Sequence, residues 1–351
     1  MTLDDLLNQT GEWYKGASPG AGVVVSSRVR LARNIKGFAF FNWADDAVKE
    51  KIKTIAKEKI SSLNFMKNSL YLEMDKVSPI DRQFLLERHM VSREHLQDTA
   101  HKAVFISEKE IISIMINEED HLRIQVLQAG LNLTGAWDIL EGFDKDLEKN
   151  FDFAYSEQLG YLTACPTNVG TGMRASVMMH LPAIVMTGQI KEVIKAISRL
   201  GLTVRGFFGE GTQASGNFFQ VSNQVTLGHR EQDIINSLER VIQQLISQEE
   251  NSRNFLMAKK REVVEDRISR AYATFKNAHV ISSEEALELL SLVRLGVETN
   301  VITDVDSSVL NELFIIIQPA HLQKLKKKKL SASERDIERA KIIRAKLKKD
   351  R

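Results

Sequence analysis

The stretch Cys165-Pro166-Thr167-Asn168-Val169-Gly170-Thr171-Gly172-Met173-Arg174 holds the one cysteine of the chain, a glycine-rich turn and an arginine. A loop of this kind can present a thiol, backbone N–H groups and a permanent positive charge to one ligand. Glycine lets the backbone of Val169, Gly170, Thr171 and Gly172 approach a phosphate, and successive N–H groups make an anion-binding concavity. The spacing is neither that of a Walker A loop nor that of the dinucleotide fingerprint. Other arginines stand at similar places. Arg28 and Arg30, in Ser26-Ser27-Arg28-Val29-Arg30, share one face if this segment is a strand. Arg123 follows the acidic turn Asn117-Glu118-Glu119-Asp120-His121-Leu122. Arg205 opens a second glycine-rich segment that contains Glu210. Taken singly, each fits an exposed strand face or a solubilising turn. Brought together, the five arginines would clamp a polyanion beside an acidic pocket. Guanidinium forks hold phosphate bidentately and stay charged at every accessible pH. That is equipment for phosphoryl transfer, where catalysis is mostly positioning and charge stabilisation. The carboxylates would hold a cationic acceptor.

The elements that must position these residues read as an α+β protein. Val23 to Ser27 looks like a strand running into Arg28. Segments 45–65 and 79–100 carry helical spacing. Val104 to Ile106, Ile111 to Ile116 and Leu122 to Val126 read as strands joined by short turns. Further strand-like runs stand at 161–165, 202–207 and 217–226, with helices expected around 173–199. Hairpin-like links predict an antiparallel sheet backed by helices. After Gly228 the pattern turns helical, with 229–278 long, polar and periodic. Ser282-Ser283-Glu284-Glu285 and Ser331-Ala332-Ser333-Glu334 are capping-box starts, the first for a helix through Val293 and the second for the final basic helix. Lys326 to Lys329 reads as an exposed connection. The domain boundary is placed near residue 255, giving domains 1–255 and 256–351, and no internal repeat is seen.

At 351 residues with 43% hydrophobic content the chain can bury a sizeable core. A single cysteine excludes an internal disulfide and fits a reducing, cytoplasmic setting. The start Met1-Thr2-Leu3-Asp4-Asp5 lacks a signal-peptide layout, and no apolar run is long enough for a membrane helix. The net charge of +2 hides a basic end, since residues 321–351 hold 13 Lys/Arg against four Asp/Glu. A solvated helix and an anionic partner are equally good readings of that end. It lacks the interleaved aromatics of a single-strand nucleic-acid binder, so no direct nucleic-acid contact is expected.

These blocks resemble the phosphagen (ATP:guanido) kinases, and most closely the bacterial protein arginine kinases. The resemblance rests on Ser26 to Arg30, Asn117 to Arg123, Cys165 to Arg174, and Arg205-Gly206 followed by Ser222-Asn223. They stand in family order over roughly residues 20–235. The resemblance implies a glutamine-synthetase-like guanido kinase catalytic domain followed by a helical regulatory or dimerisation domain. It implies that Ser27, Arg28, Arg30, Arg123, Arg174 and Arg205 contact ATP, with His89 near the adenine. It implies Glu119 and Glu210 as the carboxylates on the guanidinium and Cys165 as the thiol beside it. Magnesium is expected through nucleotide and water, with no protein side-chain ligands.

Three departures from the small-molecule enzymes shape the expected substrate. The Ser-Ser-Arg-Val-Arg block begins at residue 26, where those enzymes carry a preceding helical domain, so the site is expected to admit an arginine on a protein surface. Met178 stands where the family usually has a histidine. The C-terminal extension contains Arg335-Asp336-Ile337-Glu338-Arg339-Ala340, which resembles a phosphoarginine-docking element; Arg335 and Arg339 lie one helical turn apart with Asp336 beside them. The implied partners are a heat-shock repressor among the protein substrates, a zinc-binding activator and a Clp protease, with a homodimer as one arrangement. A free-arginine kinase and a phosphoarginine reader with a vestigial kinase site are the alternatives.

Overall fold

The computed structural model describes residues 1–8, 11–14, 22–206 and 215–348. Its strands are β1 (Val24–Arg33), β2 (Leu70–Glu73), β3 (Ala103–Ile106), β4 (Ile112–Ile116), β5 (Leu122–Ala129), β6 (Tyr155–Ser156), β7 (Gly160–Tyr161), β8 (Met173–His180), β9 (Leu202–Gly206) and β10 (Phe218–Asn223). Eight form one antiparallel sheet in the order β2-β3-β4-β5-β1-β8-β10-β9, and β6 pairs with β7 in a separate ribbon. The helices are α1 (Leu3–Asn8), α2 (Asp46–Ser61), α3 (Pro79–Glu87), α4 (Leu133–Glu148), α5 (Pro182–Met186), α6 (Ile190–Arg199), α7 (Glu231–Lys259), α8 (Arg261–Asn277), α9 (Ser283–Glu298), α10 (Ser307–Ile316), α11 (Pro319–Leu325) and α12 (Ala332–Lys348). The expected α+β architecture is what the chain adopts.

Alternation along the strands divides two cores. Val29, Leu31, Ile124, Val126, Ala175 and Val177 point into a core closed by α2, α4, α6 and α7. Leu140 and Phe143 of α4 are buried there, each contributing roughly 1.5–3 kcal/mol. On the opposite face, Val104, Met115, Leu127, Met178 and Phe218 belong to a second core shared with α3 and the helices after Lys260. That second face is left to polar residues at its centre, where Arg28 and Arg30 stand.

Several expectations are corrected. Met173–His180 is a strand, not part of a helix. It lies between β1 and β10, and all but Arg174 are buried. A strand covered on both faces reads as a continuous apolar run, which periodicity cannot tell from a buried helix. The helix expected over 79–100 stops at Glu87, because His89 takes a left-handed backbone with φ 59°. Of 161–165 only Tyr161 is in a strand. The run 229–278 is two helices broken at Lys260.

A strut joins the sheet side to the C-terminal helices. Helix α11 has Gln318 as its N-cap residue, with no side-chain cap of its own. Glu87 supplies the cap from α3, accepting the N–H of Ala320 at 2.9 Å and of His321 at 3.0 Å, and meeting His321 Nδ1 at 2.9 Å. Next to it, buried Arg88 forks onto Glu110. Burial holds His321 below the usual histidine range against the pull of Glu87.

Candidate active site

Strand register brings the arginines together. Arg28 lies opposite Leu127 and Ser176, and Arg30 lies between Gln125 and Arg174. Arg123 is level with Ala32, and Arg205 with Gln220, itself level with Met178. Directly opposed residues of antiparallel strands share a face. All five arginines therefore stand on one side of the sheet, within the run β5-β1-β8-β10-β9.

The cluster is electrostatically unfinished. Burial first, then Arg123 and Arg174, lowers Arg28 to about 9. Burial and the charges of Arg28, Arg123 and Arg174 push Arg30 well below its usual range. Burial, Arg205 and Arg123 lower Arg174. Among the described residues only Arg123 of these five has a carboxylate partner, Glu118. Burial would raise Glu118, but Arg123 and Ser92 outweigh it and hold this carboxyl at about 2. Arg174 Nη2 donates to Ser222 Oγ at 3.1 Å, while Nε of Arg30 and of Arg174 is buried with no hydrogen-bond partner among the described residues. Like charges held in a low-dielectric cleft are costly unless a counter-charge arrives. A polyphosphate would supply such a counter-charge.

The acidic turn divides its labour. Asn117, at φ 58°, anchors the turn by donating to the carbonyls of Lys49 and His101, both at 2.9 Å. Glu118 is consumed by Arg123. Asp120 accepts from Asn34 Nδ2 at 2.6 Å and from the Ala164 N–H at 2.7 Å. Glu119 is the half-buried member that faces the cleft with Cys165, Asn168 and Arg174. Burial, then Asp120 and Glu118, raises it above the ordinary glutamate range against Arg123 and a hydrogen bond with Cys165. The Cys165 thiol also sits 3.0 Å from Thr167 Oγ1. Sequence reasoning does not assign Glu118 its part; its five-residue spacing from Arg123 across a tight turn is the available signal. Glu210 lies outside the described residues.

Three expected contacts are placed differently. Ser27 is on the other face: its hydroxyl donates to the Gly130 carbonyl at 2.8 Å and accepts the Asn132 N–H at 3.0 Å. It fixes the β5–α4 turn. In the glycine-rich loop the N–H groups of Val169 and Gly170 go to the carbonyls of Pro166 and Tyr161, both at 3.3 Å, so they are held within the protein. Gly172, at φ +66°, is required by close approach, since a Cβ there would sit 2.7 Å from the Ala32 carbonyl. Thr171 Oγ1 accepts the Met173 N–H at 3.1 Å. Arg339 is fully buried and donates to the carbonyls of Ile317 and Ile281, to Asp336 and to Ser283 Oγ. It ties α12 to α9 and α10. Arg335 and Asp336 remain partly exposed, Arg335 donating to the Leu330 carbonyl at 3.0 Å.

His89 borders a small cavity with Arg28, Leu127, Ser176 and Met178. Burial, then Arg28, lowers the imidazole to about 3, so it is neutral at physiological pH. Its ring meets Trp13 edge-on at 5.2 Å.

A residue not anticipated holds the glycine-rich loop. Arg33 is buried, forks onto Asp144 and lies 3.5 Å over the Tyr161 ring. It donates to the Thr171 carbonyl at 2.9 Å. Its odd position along β1 turns it away from Arg28 and Arg30. Arg33→Lys keeps the charge and removes the fork, and is expected to cost about 1–3 kcal/mol. Denaturant unfolding with a shift under about 0.5 kcal/mol would remove Arg33 from this role.

Residues 50–252 match the ATP:guanido phosphotransferase C-terminal catalytic domain, and residues 261–351 match the protein-arginine kinase McsB C-terminal domain. The chain is 48% identical over 348 residues to the protein-arginine kinase of Halothermothrix orenii, covering 99% of each chain. It is also 48% identical over 351 residues to that of Symbiobacterium thermophilum, again covering 99% of each. The duplicated taurocyamine kinase from Schistosoma mansoni, solved with bound transition state analog components, superposes with a TM-score of 0.59 at 27% identity, over 69% of this chain and 35% of that one. Lombricine kinase shares the fold, with a TM-score of 0.59 at 24% identity over 71% of this chain and 70% of its own. The gathered arginines and the raised carboxyl beside them thus sit in a chain that belongs to the ATP:guanido phosphotransferase family and, along its whole length, to the protein-arginine kinases.

Proposed function

We propose that this chain transfers the γ-phosphoryl group of ATP to the guanidinium of arginine side chains in proteins. The observation that carries this reading is the arginine face, short of counter-charge, beside the raised carboxyl of Glu119. Arg28, Arg30, Arg123, Arg174 and Arg205 bind the phosphates, and His89 borders the adenine. Glu119 orients the guanidinium, with Cys165 next to it and Glu210 as the second carboxylate. A terminal guanidinium nitrogen attacks the γ-phosphorus as the bond to the β-bridging oxygen breaks. The nitrogen's proton passes to Glu119, and ADP leaves. Magnesium, held by the nucleotide's oxygens and water, would neutralise further charge.

The reading extends to an N-terminal catalytic part and a C-terminal regulatory or dimerising part. It includes a cytoplasmic setting, a heat-shock repressor among the substrates, a zinc-binding activator, and marking for a Clp protease. It also places phosphoarginine docking at Arg335 and Asp336, with Arg339 as their buried support. Arg335→Ala is expected to weaken phosphoarginine binding about tenfold, the scale of a charged hydrogen bond. Titration calorimetry with unchanged affinity would remove Arg335 from that site.

The testing experiment is mass spectrometry of an unstructured, arginine-rich protein after incubation with the full chain, ATP and magnesium. The sample is kept at neutral or alkaline pH, because an N–P bond is acid-labile. A phosphate mass on arginine supports the reading. Turnover of free arginine without protein modification would replace it by a small-molecule kinase.

A further inference from the structure

The loop between β1 and α2 carries Gly37-Phe38-Ala39-Phe40-Phe41-Asn42-Trp43. Four aromatics in seven residues would ordinarily enter a core. Here Trp43 is 77% exposed, while Trp13 and Trp137, the other two tryptophans, are 0% and 7% exposed. The exposed indole is held in place. The N–H groups of Trp43 and Ala44 both go to the Phe40 carbonyl, at 2.8 Å and 3.0 Å. The Trp43 ring stacks on Phe40, with centroids 6.2 Å apart. Phe41 is gripped by Lys49 and Lys102.

The loop is continuous with the rim of the catalytic cleft. Its first residues lead from Asn34, which donates to Asp120 at 2.6 Å and to the Leu162 carbonyl at 3.0 Å. Asp120 directly follows Glu119, and Leu162 lies three residues before Cys165. His121, two residues beyond Glu119, receives the Ile35 N–H on Nδ1 at 3.0 Å, and its Nε2 meets the Ala39 carbonyl at 2.9 Å. The His121 ring meets Phe40 edge-on at 6.4 Å. Trp43 is thus two ring-to-ring steps from the acidic turn.

We infer that Phe40 and Trp43 form a docking platform for the polypeptide that carries the target arginine. This rests on the protein-arginine kinase reading given above. An arginine that reaches Glu119 from a protein brings its own backbone to the rim. An extended chain advances about 3.3 Å per residue, so the residues flanking the arginine are the ones that can reach the indole. The occupant is an apolar or aromatic side chain of an unfolded substrate segment, which gains by covering an exposed, preorganised ring.

The test uses two otherwise identical unstructured peptides with a single arginine, one flanked by Phe and one by Ser. With the full-length chain, the Phe peptide is expected to show a KM roughly tenfold below that of the Ser peptide, an effect the size of one interface aromatic. Trp43→Ala should raise the Phe peptide to the Ser value, with kcat and the KM for ATP unchanged. Binding of the Phe peptide should blue-shift tryptophan emission, and Trp43→Phe should abolish the shift. Equal KM values for the two peptides, or a Trp43→Ala chain indistinguishable from the parent, overturns the platform while leaving the kinase reading intact. Failure of the parent chain to phosphorylate either peptide, with no emission shift, overturns both.

Discussion

Glu119→Gln is expected to lower phosphoryl transfer by about 10²–10⁴-fold, the range for loss of a general base, with ATP binding retained. Its neighbours Glu118 and Asp120 are held by Arg123 and by Asn34 and Ala164. They cannot take over without breaking buried contacts. Because Glu119 is raised by burial, Asp120 and Glu118, its proton-accepting form is lost at a higher pH than for an ordinary glutamate. The acid limb of kcat/KM should therefore lie above the usual glutamate pKa and vanish in the variant. The same shift acts on the fold. A folded-state pKa above the unfolded one means stability is full below the unfolded value and is lost as pH rises through the folded value. Removing this charge should leave the protein at least as stable at pH 7. A variant with full transfer would remove Glu119 from the mechanism, and one that is inactive and clearly less stable would point to a structural cause.

Glu87→Ala is expected to cost about 1–3 kcal/mol for each buried donor left without its acceptor. It would strip α11 of its cap, leave the N–H groups of Ala320 and His321 without their acceptor, and free His321. Chemical denaturation should then resolve an early step for the C-terminal helices from later loss of the sheet. A single transition displaced by under about 1 kcal/mol would show that the strut is dispensable. Glu87 lies two residues from His89, which borders the cavity beside Arg28. Weaker nucleotide binding alongside the loss of stability is therefore expected.

Much of the site is legible in the order of residues alone. The two-residue spacing of Arg28 and Arg30 implies a common face, and the strand register places them on one. The capping boxes at Ser282 and Ser331 hold their helices by the expected bonds, Glu285 N–H to Ser282 and Ser331 N–H to Glu334. Leu122 to Val126 alternates because one face is covered by helices and the other meets the arginine cleft. The parts that are not legible depend on distant partners. Met173–His180 carries no period-two signal because neighbours bury both of its faces. Ser27 is turned to Gly130, 103 residues away, and Arg33 to Asp144, 111 residues away.

By itself, then, the sequence determined the kinds of chemistry available: permanent cations at strand positions, carboxylates in one turn, a thiol in another. Only the tertiary structure decided which of those groups remain open to a ligand. Glu118 and Glu119 are adjacent and chemically identical, yet one is held at about 2 by Arg123 and the other is raised beside Cys165. Arg335 and Arg339 share a helical spacing, yet Arg339 is occupied by Ile281, Ile317, Asp336 and Ser283. The physical reason is that a buried polar group must find a partner, and most of these partners lie far along the chain. Local spacing can place a side chain on a face, but only packing settles whether its hydrogen bonds are already made.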